Sequence, residues 1–188
     1  MCERNRPWGL LERNMPPVSA PTEMPVCLDA WMRGGSFFLT IPPFSMPDVD
    51  PPDLTSVLES ATTIAVVGCS ATPTRTSHKI ARYMQQRGYR IVPVNPNYDE
   101  VLGEHCYPDL PSIPSDVTID IVNIFRAPKH TADMVRTAIA RIEDTDEHPV
   151  IWTQLGVSTP EARELAADAG LPYVRNRCIK VEYDRLIA

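Results

Sequence analysis

The segment 68–77 reads Gly-Cys-Ser-Ala-Thr-Pro-Thr-Arg-Thr-Ser and carries residue types that bind phosphate groups. Gly68 permits a tight turn, and the small residues after it let the backbone approach an anion closely. A helix that begins near Ser77 would direct free N–H groups and its positive dipole end at that anion. Arg75 and Lys79 add positive charge beside it. The segment predicts a phosphate or pyrophosphate site; the alternative is a capped strand-to-helix turn with solvated side chains.

Two common nucleotide-binding patterns are absent from this segment. Cys69 and Ser70 stand where the GxGxxG fingerprint has its glycine-rich core, and the loop before the helix is longer. The next β-prone run ends at Asn95, where a ribose-binding dinucleotide site usually has Asp or Glu. No GK[ST] triplet follows Gly68, as the Walker pattern requires. The sequence therefore disfavours ordinary NAD binding and nucleoside triphosphate hydrolysis by that route.

Cysteine and histidine residues could supply a metal site or a nucleophile, but their spacing indicates neither. The five cysteines form no CxxC pair and no zinc-like spacing; they are Cys2, Cys27, Cys69, Cys106 and Cys178. A reactive thiol at Cys178 would need a cationic neighbour such as Arg177, and a small structural cysteine is the alternative. We expect the four histidines to be solvated or capping groups; they are His78, His105, His130 and His148. We predict no metal site and no assembled catalytic group.

Alternating strands and helices must position these residues. A continuous β-prone run at 62–67 leads into Gly68, and a helix is expected over 77–87 with Gly88 as its C-terminal cap. Further strands are expected at 90–94, 118–125, 150–154 and 172–175, and further helices at 53–60, 131–142, 159–169 and 178–186. In the last helix, we expect Glu182 on the exposed face. This order predicts an α/β fold, a Rossmann-like three-layer sandwich with a mainly parallel five-stranded sheet.

In an open parallel sheet, ligands bind beyond the carboxyl ends of the strands, near the point where the strand order reverses. Four connecting segments should meet there, and they cover residues 68–76, 95–98, 125–129 and 154–158. The sequence therefore places the phosphate-binding segment at the same edge as the loops after three other strands.

Composition separates the chain into a tail and one domain. Of 188 residues, 20 are proline, and they concentrate in 1–52, where no helical or strand periodicity is found. We expect 1–52 to be a mostly disordered extension and 53–188 to be the folded domain. Aromatic residues in the extension could form a docking patch; they are Trp8, Trp31, Phe37 and Phe38. The favoured alternative is an extension without a function.

The averages indicate a soluble protein with a small-molecule ligand. Hydrophobic residues make up 43% and charged residues 22% of the sequence, and the formal net charge is -6. No broad basic surface for nucleic acid, no apolar run that could span a bilayer and no export signal is found. We expect a cytoplasmic protein without nucleic-acid or membrane partners, and a homo-oligomer is left open.

Five short strings occur in an order that closely resembles the small stand-alone CoA-binding domain proteins. These proteins are relatives of the nucleotide-binding domain in the succinyl-CoA ligase alpha subunit. The strings are VVGCS at 66–70, VPVNPN at 92–97, IFR at 124–126, WTQLGV at 152–157 and NRCIK at 176–180. The resemblance extends from about residue 54 to residue 188, and it also includes VLG at 101–103 and CYP at 106–108.

The resemblance implies a Rossmann-like fold with coenzyme A, or an acyl-CoA, as the cofactor. Carried over by position, the cofactor-binding residues are Gly68, Cys69, Ser70, Arg75, Ser77, Asn95, Pro96, Phe125, Arg126, Gln154 and Arg177. The sequence departs from the family pattern at Cys69, where many relatives have Ala or another small residue. It departs again at 77–79, where Ser-His-Lys replaces the commoner Ser-Tyr-Arg.

Three functions are compatible with these observations. The first is a non-catalytic module that binds or senses CoA or acyl-CoA, because no nucleophile, base and orienting acid are assembled. The second is a cysteine-dependent enzyme that uses CoA or another nucleotide, with Cys69 or Cys178 as nucleophile. The third is a redox sensor that binds NAD(H) and acts through a partner. A ligase is not expected, because the sequence lacks the further domain that carries the ligases' phosphorylated histidine.

Overall fold

The computed structural model describes residues 53–145 and 147–188. The prediction of disorder for 1–52 and the aromatic patch within it lie outside these residues. The helices are α1 (Leu54–Ser60), α2 (Thr76–Gln86), α3 (Thr131–Thr145), α4 (Pro160–Asp168) and α5 (Ile179–Leu186). A 3-10 turn, Pro128–His130, precedes α3. The strands are β1 (Thr63–Val67), β2 (Arg90–Val94), β3 (Glu100–Val101), β4 (Glu104–His105), β5 (Ile121–Ile124), β6 (Val150–Thr153) and β7 (Tyr173–Val174).

The main sheet has five strands in the order β2-β1-β5-β6-β7. Every pair of neighbouring strands in it is parallel. The α/β fold with a five-stranded parallel sheet is therefore confirmed. A two-stranded antiparallel hairpin, β3 and β4, was not predicted, because strands of two residues show no periodicity.

The third strand of the sheet is shorter than predicted. The sequence favours 118–125, whereas β5 covers only Ile121–Ile124. The side chain of Asp120 accepts hydrogen bonds from the backbone N–H groups of Thr62, at 2.8 Å, and Thr63, at 2.9 Å. The carboxylate of Asp120 thus binds the backbone N–H groups at the amino end of β1. The pairing of β5 with β1 begins at the next residue, Ile121.

Helices cover both faces of the sheet because successive strand residues point to opposite sides. In β1, Ala65 and Val67 belong to a core with Val135 of α3 and Ala162 of α4. Ile64 and Val66 belong to a second core, with side chains from the other three helices: Leu58 of α1, Ile80 of α2 and Ile179 of α5. The result is the predicted three-layer sandwich, and its strands are buried on both faces.

The strand order reverses between β1 and β5. The connection after β1 leads to α2 on one face, and the connection after β5 leads to α3 on the other face. The two loops therefore diverge at the carboxyl edge and leave a crevice between them, where ligands bind in sheets of this type. No helix in the described part of the chain is long and apolar enough to cross a membrane.

Candidate ligand site at the carboxyl edge of the sheet

Gly68 brings the loop after β1 into direct contact with the loop after β5. Its φ is +85°, in the left-handed region that favours glycine. A Cβ at this position would lie 3.0 Å from Cδ of Arg126 and 3.1 Å from the carbonyl oxygen of Phe125. The N–H of Phe125 donates to the carbonyl of Val67 at 2.8 Å, so the backbone there is fixed. Only glycine allows the two loops to approach this closely.

The loop between β1 and α2, residues 68–75, is held in shape by its own polar groups. The N–H of Ser70 donates to Oγ of Ser77 at 3.1 Å, and the N–H of Thr72 donates to Oγ of Ser70 at 3.1 Å. The carbonyl of Ser70 lies 2.9 Å from Nδ1 of His78, and this nitrogen must carry the proton because a carbonyl only accepts. His78 is buried, contrary to the solvated or capping role expected of it. Both serine hydroxyls and His78 therefore shape the loop.

Helix α2 begins without a side-chain cap. Its N-cap residue is Arg75, and the side chain of Arg75 accepts no hydrogen bond from the first turn. The first N–H groups of a helix have no partner within the helix, so here they remain available to solvent or to an anion. Arg75 and Lys79 are exposed beside them. The helix begins at Thr76, one residue before the predicted start, and the anion site at this position stays a prediction.

Asn95 connects the ends of β1 and β2. It is 7% exposed, and its Nδ2 donates to the carbonyl of Cys69 at 2.8 Å. Its Oδ1 accepts from the N–H of Asn97 at 3.1 Å, and its own N–H donates to the carbonyl of Tyr107 at 2.8 Å. The amide of Asn95 is thus occupied by the protein. It fixes the loop after β1 instead of facing outward as a ribose-binding carboxylate would.

A cavity of about 130 Å³, here called the edge cavity, opens at the ends of β1 and β2. The predicted residues Gly68, Pro96 and Arg126 all line it. The complete lining comes from five segments of the chain: Val67, Gly68, Val94, Pro96, Pro108, Asp109, Leu110, Arg126, Met134 and Thr137. Most of the lining is apolar, and Arg126 supplies a half-buried cation beside it. A flat apolar group with a nearby anion fits such a cavity.

The prediction missed the part of this lining that comes from residues 108–110 and from α3. The segment returns to the site because Tyr107 forms an isolated parallel bridge with Val94 of β2. Pro108 belongs to one of the strings that carry the family resemblance, so a signal was available. Met134 and Thr137 are three residues apart on α3 and share a face, but nothing in their types indicates a ligand.

Gln154 and Asn123 form a buried pair at the ends of β6 and β5. Nε2 of Gln154 donates to Oδ1 of Asn123 at 3.0 Å, and the two residues are 6% and 1% exposed. Nδ2 of Asn123 has no hydrogen-bond partner among the described residues. Asn123 pairs in register with Val66 and Trp152, which belong to the core under α5, so it points to that face. Gln154 is therefore at the predicted edge, and its amide nitrogen is used internally.

Arg177 lies in a second concave region, away from the edge cavity. Its Nη1 donates to Oε1 of Glu182 at 3.0 Å, and Nη2 of Arg185 donates to Oε2 of the same carboxylate at 2.5 Å. Glu182 is 8% exposed, so the expectation that it lies on the exposed face of α5 is wrong. Its carboxylate is shared by two arginines because a charge this buried requires partners. The structure thus separates Arg177 from Gly68, Pro96 and Arg126.

The cysteines differ sharply in accessibility. Cys69 is fully buried, and burial, with a smaller contribution from Cys106, raises the pKa of its thiol to about 12. Burial also raises the pKa of Cys106. Cys178 is the partly exposed cysteine of the three that the structure describes. Cys69 contributes to the loop through its backbone, since its carbonyl accepts from Asn95. The described residues contain no cluster of His, Cys, Asp or Glu that could hold a metal ion.

Comparison with known proteins gives consistent matches. The profile of a family described as CoA binding domain matches residues 62–184. The uncharacterized protein YneT of Bacillus subtilis (strain 168) is 37% identical over 131 residues, which cover 70% of this chain and 92% of YneT. A solved structure of a hypothetical protein from Pyrococcus horikoshii OT3 is 36% identical, with a TM-score of 0.68. The match covers 75% of this chain and 94% of the chain in that structure.

A shorter match links the chain to an enzyme. The protein named acetate–CoA ligase (ADP-forming) II of Archaeoglobus fulgidus is 36% identical over 63 residues. The match covers 32% of this chain and 9% of the ligase, so it concerns one small part of that protein.

Proposed function

The chain belongs to the CoA binding domain family, and on that basis we propose that it binds coenzyme A or an acyl-CoA at the carboxyl edge of its sheet, as a binding or sensing module. The observation that carries this proposal is that the loop after β1 lines the edge cavity through Gly68 and leads into the uncapped start of α2. A nucleotide needs both features, because its base is flat and largely apolar and its phosphates are anionic. Residues 68–75 connect the two features along the chain.

The proposed binding mode distributes the cofactor along this edge. The diphosphate lies against residues 70–77, with the N–H groups of the first turn of α2 and the side chain of Arg75 as donors. The adenine ring occupies the edge cavity, between Pro96 and Met134. Arg126 borders both regions and neutralises a phosphate from the side of β5. The backbone of Cys69 and the amide of Asn95 hold the loop that makes these contacts possible.

Catalysis by Cys69 is not proposed. A thiol with a pKa near 12 is almost wholly protonated at neutral pH, and the side chain of Cys69 has no exposed surface. Cys178 is partly exposed, and within residues 53–145 and 147–188 no histidine or carboxylate that could act as a base is hydrogen-bonded to it. The binding role therefore remains the function that the described residues support best.

Thermal unfolding of the full chain tests the proposal. The chain is heated alone and with millimolar CoA, 3′-dephospho-CoA, NAD or ATP. A ligand at a hundredfold excess over its Kd stabilises the folded state by about 2.7 kcal/mol. We expect a clear increase in the melting temperature with CoA and a smaller one with NAD. A larger increase with NAD would favour the dinucleotide-sensor alternative, and no increase with CoA would refute the proposal.

Two arginine variants locate the site. We expect Arg75→Ala and Arg126→Ala each to weaken CoA binding at least threefold in calorimetric titration, because each removes a charge-assisted hydrogen bond to a phosphate. Arg82→Ala is the matched control, since it removes the same charge from an exposed position farther along α2. If Arg82→Ala weakens binding as much as Arg75→Ala does, the effect is one of net charge and the assigned loop is wrong.

A further inference from the structure

A second concave surface lies at the same edge of the sheet, beyond β6 and β7. We call it the α5 groove; it has a volume of about 380 Å³, and its lining includes Leu155, Arg175, Asn176, Arg177, Cys178 and Val181. The floor is rigid. Trp152 donates from Nε1 to the carbonyl of Arg177 at 2.7 Å, and the N–H of Asn176 donates to Oγ1 of Thr153 at 3.1 Å. The groove is therefore a formed feature of the fold.

Apolar side chains are exposed on the two walls of this groove. Leu155 is 70% exposed and Val181 is 56% exposed, and they are the exposed large hydrophobic side chains of the described part of the chain. A single exposed leucine needs no explanation, but here both residues face one concavity. Arg177 is paired with the buried carboxylate of Glu182, and the apolar part of the lining comes from Leu155, Cys178 and Val181. Such a surface fits an aliphatic chain.

The pantetheine arm of a bound CoA has the length to reach the groove. In the sheet order, β7 lies three steps from β1, and neighbouring strands are about 4.8 Å apart, so the distance along the edge is roughly 14 Å. The extended arm from phosphate to sulfur is about as long as four extended residues, or roughly 14 Å. With its phosphates at the loop after β1, the arm would bring the sulfur to the near side of the groove.

A buried hydrogen-bond donor lies on β5, between the two regions. Nδ2 of Asn123 has no hydrogen-bond partner among the described residues, and Asn123 lies between β1 and β6, on the face that α5 covers. The amide oxygens of pantetheine are acceptors. Asn123 is 1% exposed and is bonded to the side chain of Gln154, so a pantetheine oxygen would reach this donor only if neighbouring side chains moved.

We propose that the α5 groove binds the aliphatic acyl chain of an acyl-CoA whose phosphates lie at residues 70–77. This inference rests on the proposed function and deepens it. It identifies acyl-CoA as the preferred ligand, which binds more tightly than free CoA. The acyl chain contacts Leu155 and Val181, and Arg175 and Arg177 also line the groove.

The chain-length dependence of binding tests this proposal. Full-length protein is titrated with CoA, acetyl-CoA, hexanoyl-CoA and succinyl-CoA. Burying one methylene changes an affinity by about fourfold at most, so a partly open groove should give hexanoyl-CoA at least a tenfold higher affinity than acetyl-CoA. Leu155→Ser combined with Val181→Ser should abolish this difference and leave acetyl-CoA binding within twofold. Both residues are exposed, so the variant should fold.

The outcomes separate this inference from the proposed function. If CoA binds but the affinity for hexanoyl-CoA is no higher than that for acetyl-CoA, the groove assignment is wrong and the binding function stands. If succinyl-CoA binds more tightly than hexanoyl-CoA, the groove recognises a carboxylate through its arginines and the aliphatic assignment is wrong. If neither CoA nor any thioester binds, both proposals fail. Arg75→Ala should weaken all the ligands by one common factor, since it contacts only the shared phosphates.

Alkylation of Cys178 gives a second measurement that needs no substitution in the groove. Cys2 and Cys27, which lie outside the described residues, are replaced by serine, and the protein is treated with iodoacetamide. Saturating hexanoyl-CoA should slow alkylation of Cys178 at least tenfold, because the chain covers the thiol. Adenosine 3′,5′-diphosphate, which lacks the pantetheine arm, should leave the rate unchanged. An unchanged rate with hexanoyl-CoA would refute occupancy of the groove.

Discussion

Replacing Gly68 with alanine should destabilise the protein by more than the conformation of the residue alone would cause. A left-handed backbone costs an L residue about 1–2 kcal/mol. The new Cβ would also lie 3.1 Å from the carbonyl oxygen of Phe125 and 3.0 Å from Cδ of Arg126. Crowding of this kind costs about 1–3 kcal/mol. We expect Gly68→Ala to lower the free energy of unfolding by about 2–5 kcal/mol in total.

Gly88 provides the matched control. Its φ is +98°, but a Cβ there would meet no atom within 4 Å. Gly88→Ala should therefore cost only the conformational part, about 1–2 kcal/mol. Urea unfolding of the full chains, followed by far-ultraviolet circular dichroism, measures both values. If the two variants are equally destabilised, the close approach of the two loops contributes nothing and the reasoning about Gly68 is wrong. Gly68→Ala should also weaken CoA binding, because the clash displaces Arg126.

The remaining predictions concern the residues that hold the loop. Asn95→Ala should lower the free energy of unfolding by about 1–3 kcal/mol, because it leaves the buried carbonyl of Cys69 without its donor, whereas Asn97→Ala, at an exposed position, should change it by less than about 0.5 kcal/mol. Similar costs for both variants in urea unfolding would contradict the assigned role of Asn95. Since burial raises the pKa of Cys69 to about 12, roughly one thiol in ten thousand is ionised at pH 8, and its alkylation should increase tenfold per pH unit up to that value. Peptide mass mapping at pH 7–9 should show Cys178 modified at least a hundredfold faster than Cys69; equal rates would restore Cys69 as a candidate nucleophile.

The sheet could be predicted from the sequence because each of its signals is local. The run of β-branched residues in β1, the glycine after it and the periodic helix that follows together determine the βαβ unit. The same signals predicted the loop that joins β1 to α2, since a glycine between a β-prone run and a periodic helix marks the point where the strand ends and the chain turns. The hairpin of β3 and β4 carries no such signal, and it forms because Tyr107 returns to β2.

The roles of individual site residues were less accessible to sequence reasoning. The resemblance assigns Ser70, Ser77 and Asn95 to the ligand. In the structure, the side chain of each forms a hydrogen bond with a backbone group of the loop itself. The choice between a ligand and a neighbouring backbone group depends on distances across the fold, which residue types alone do not reveal. Met134 and Arg177 illustrate the same limit, since one joins the edge cavity and the other the α5 groove.

The order of the strands also affects how the protein forms during synthesis. β1 pairs with β2, which follows it closely, and with β5, whose neighbour Asp120 lies 58 residues beyond Thr62. Closing so long a loop is slow compared with forming a helix, and domains emerge from the ribosome from the amino end. A nascent chain that ends before residue 121 can join β1 to β2, but one edge of β1 stays unpaired and prone to association. Arg126 and the residues of the α5 groove are synthesised only later. The carboxyl edge of the sheet, where we propose that the ligand binds, is therefore completed by the last third of the chain.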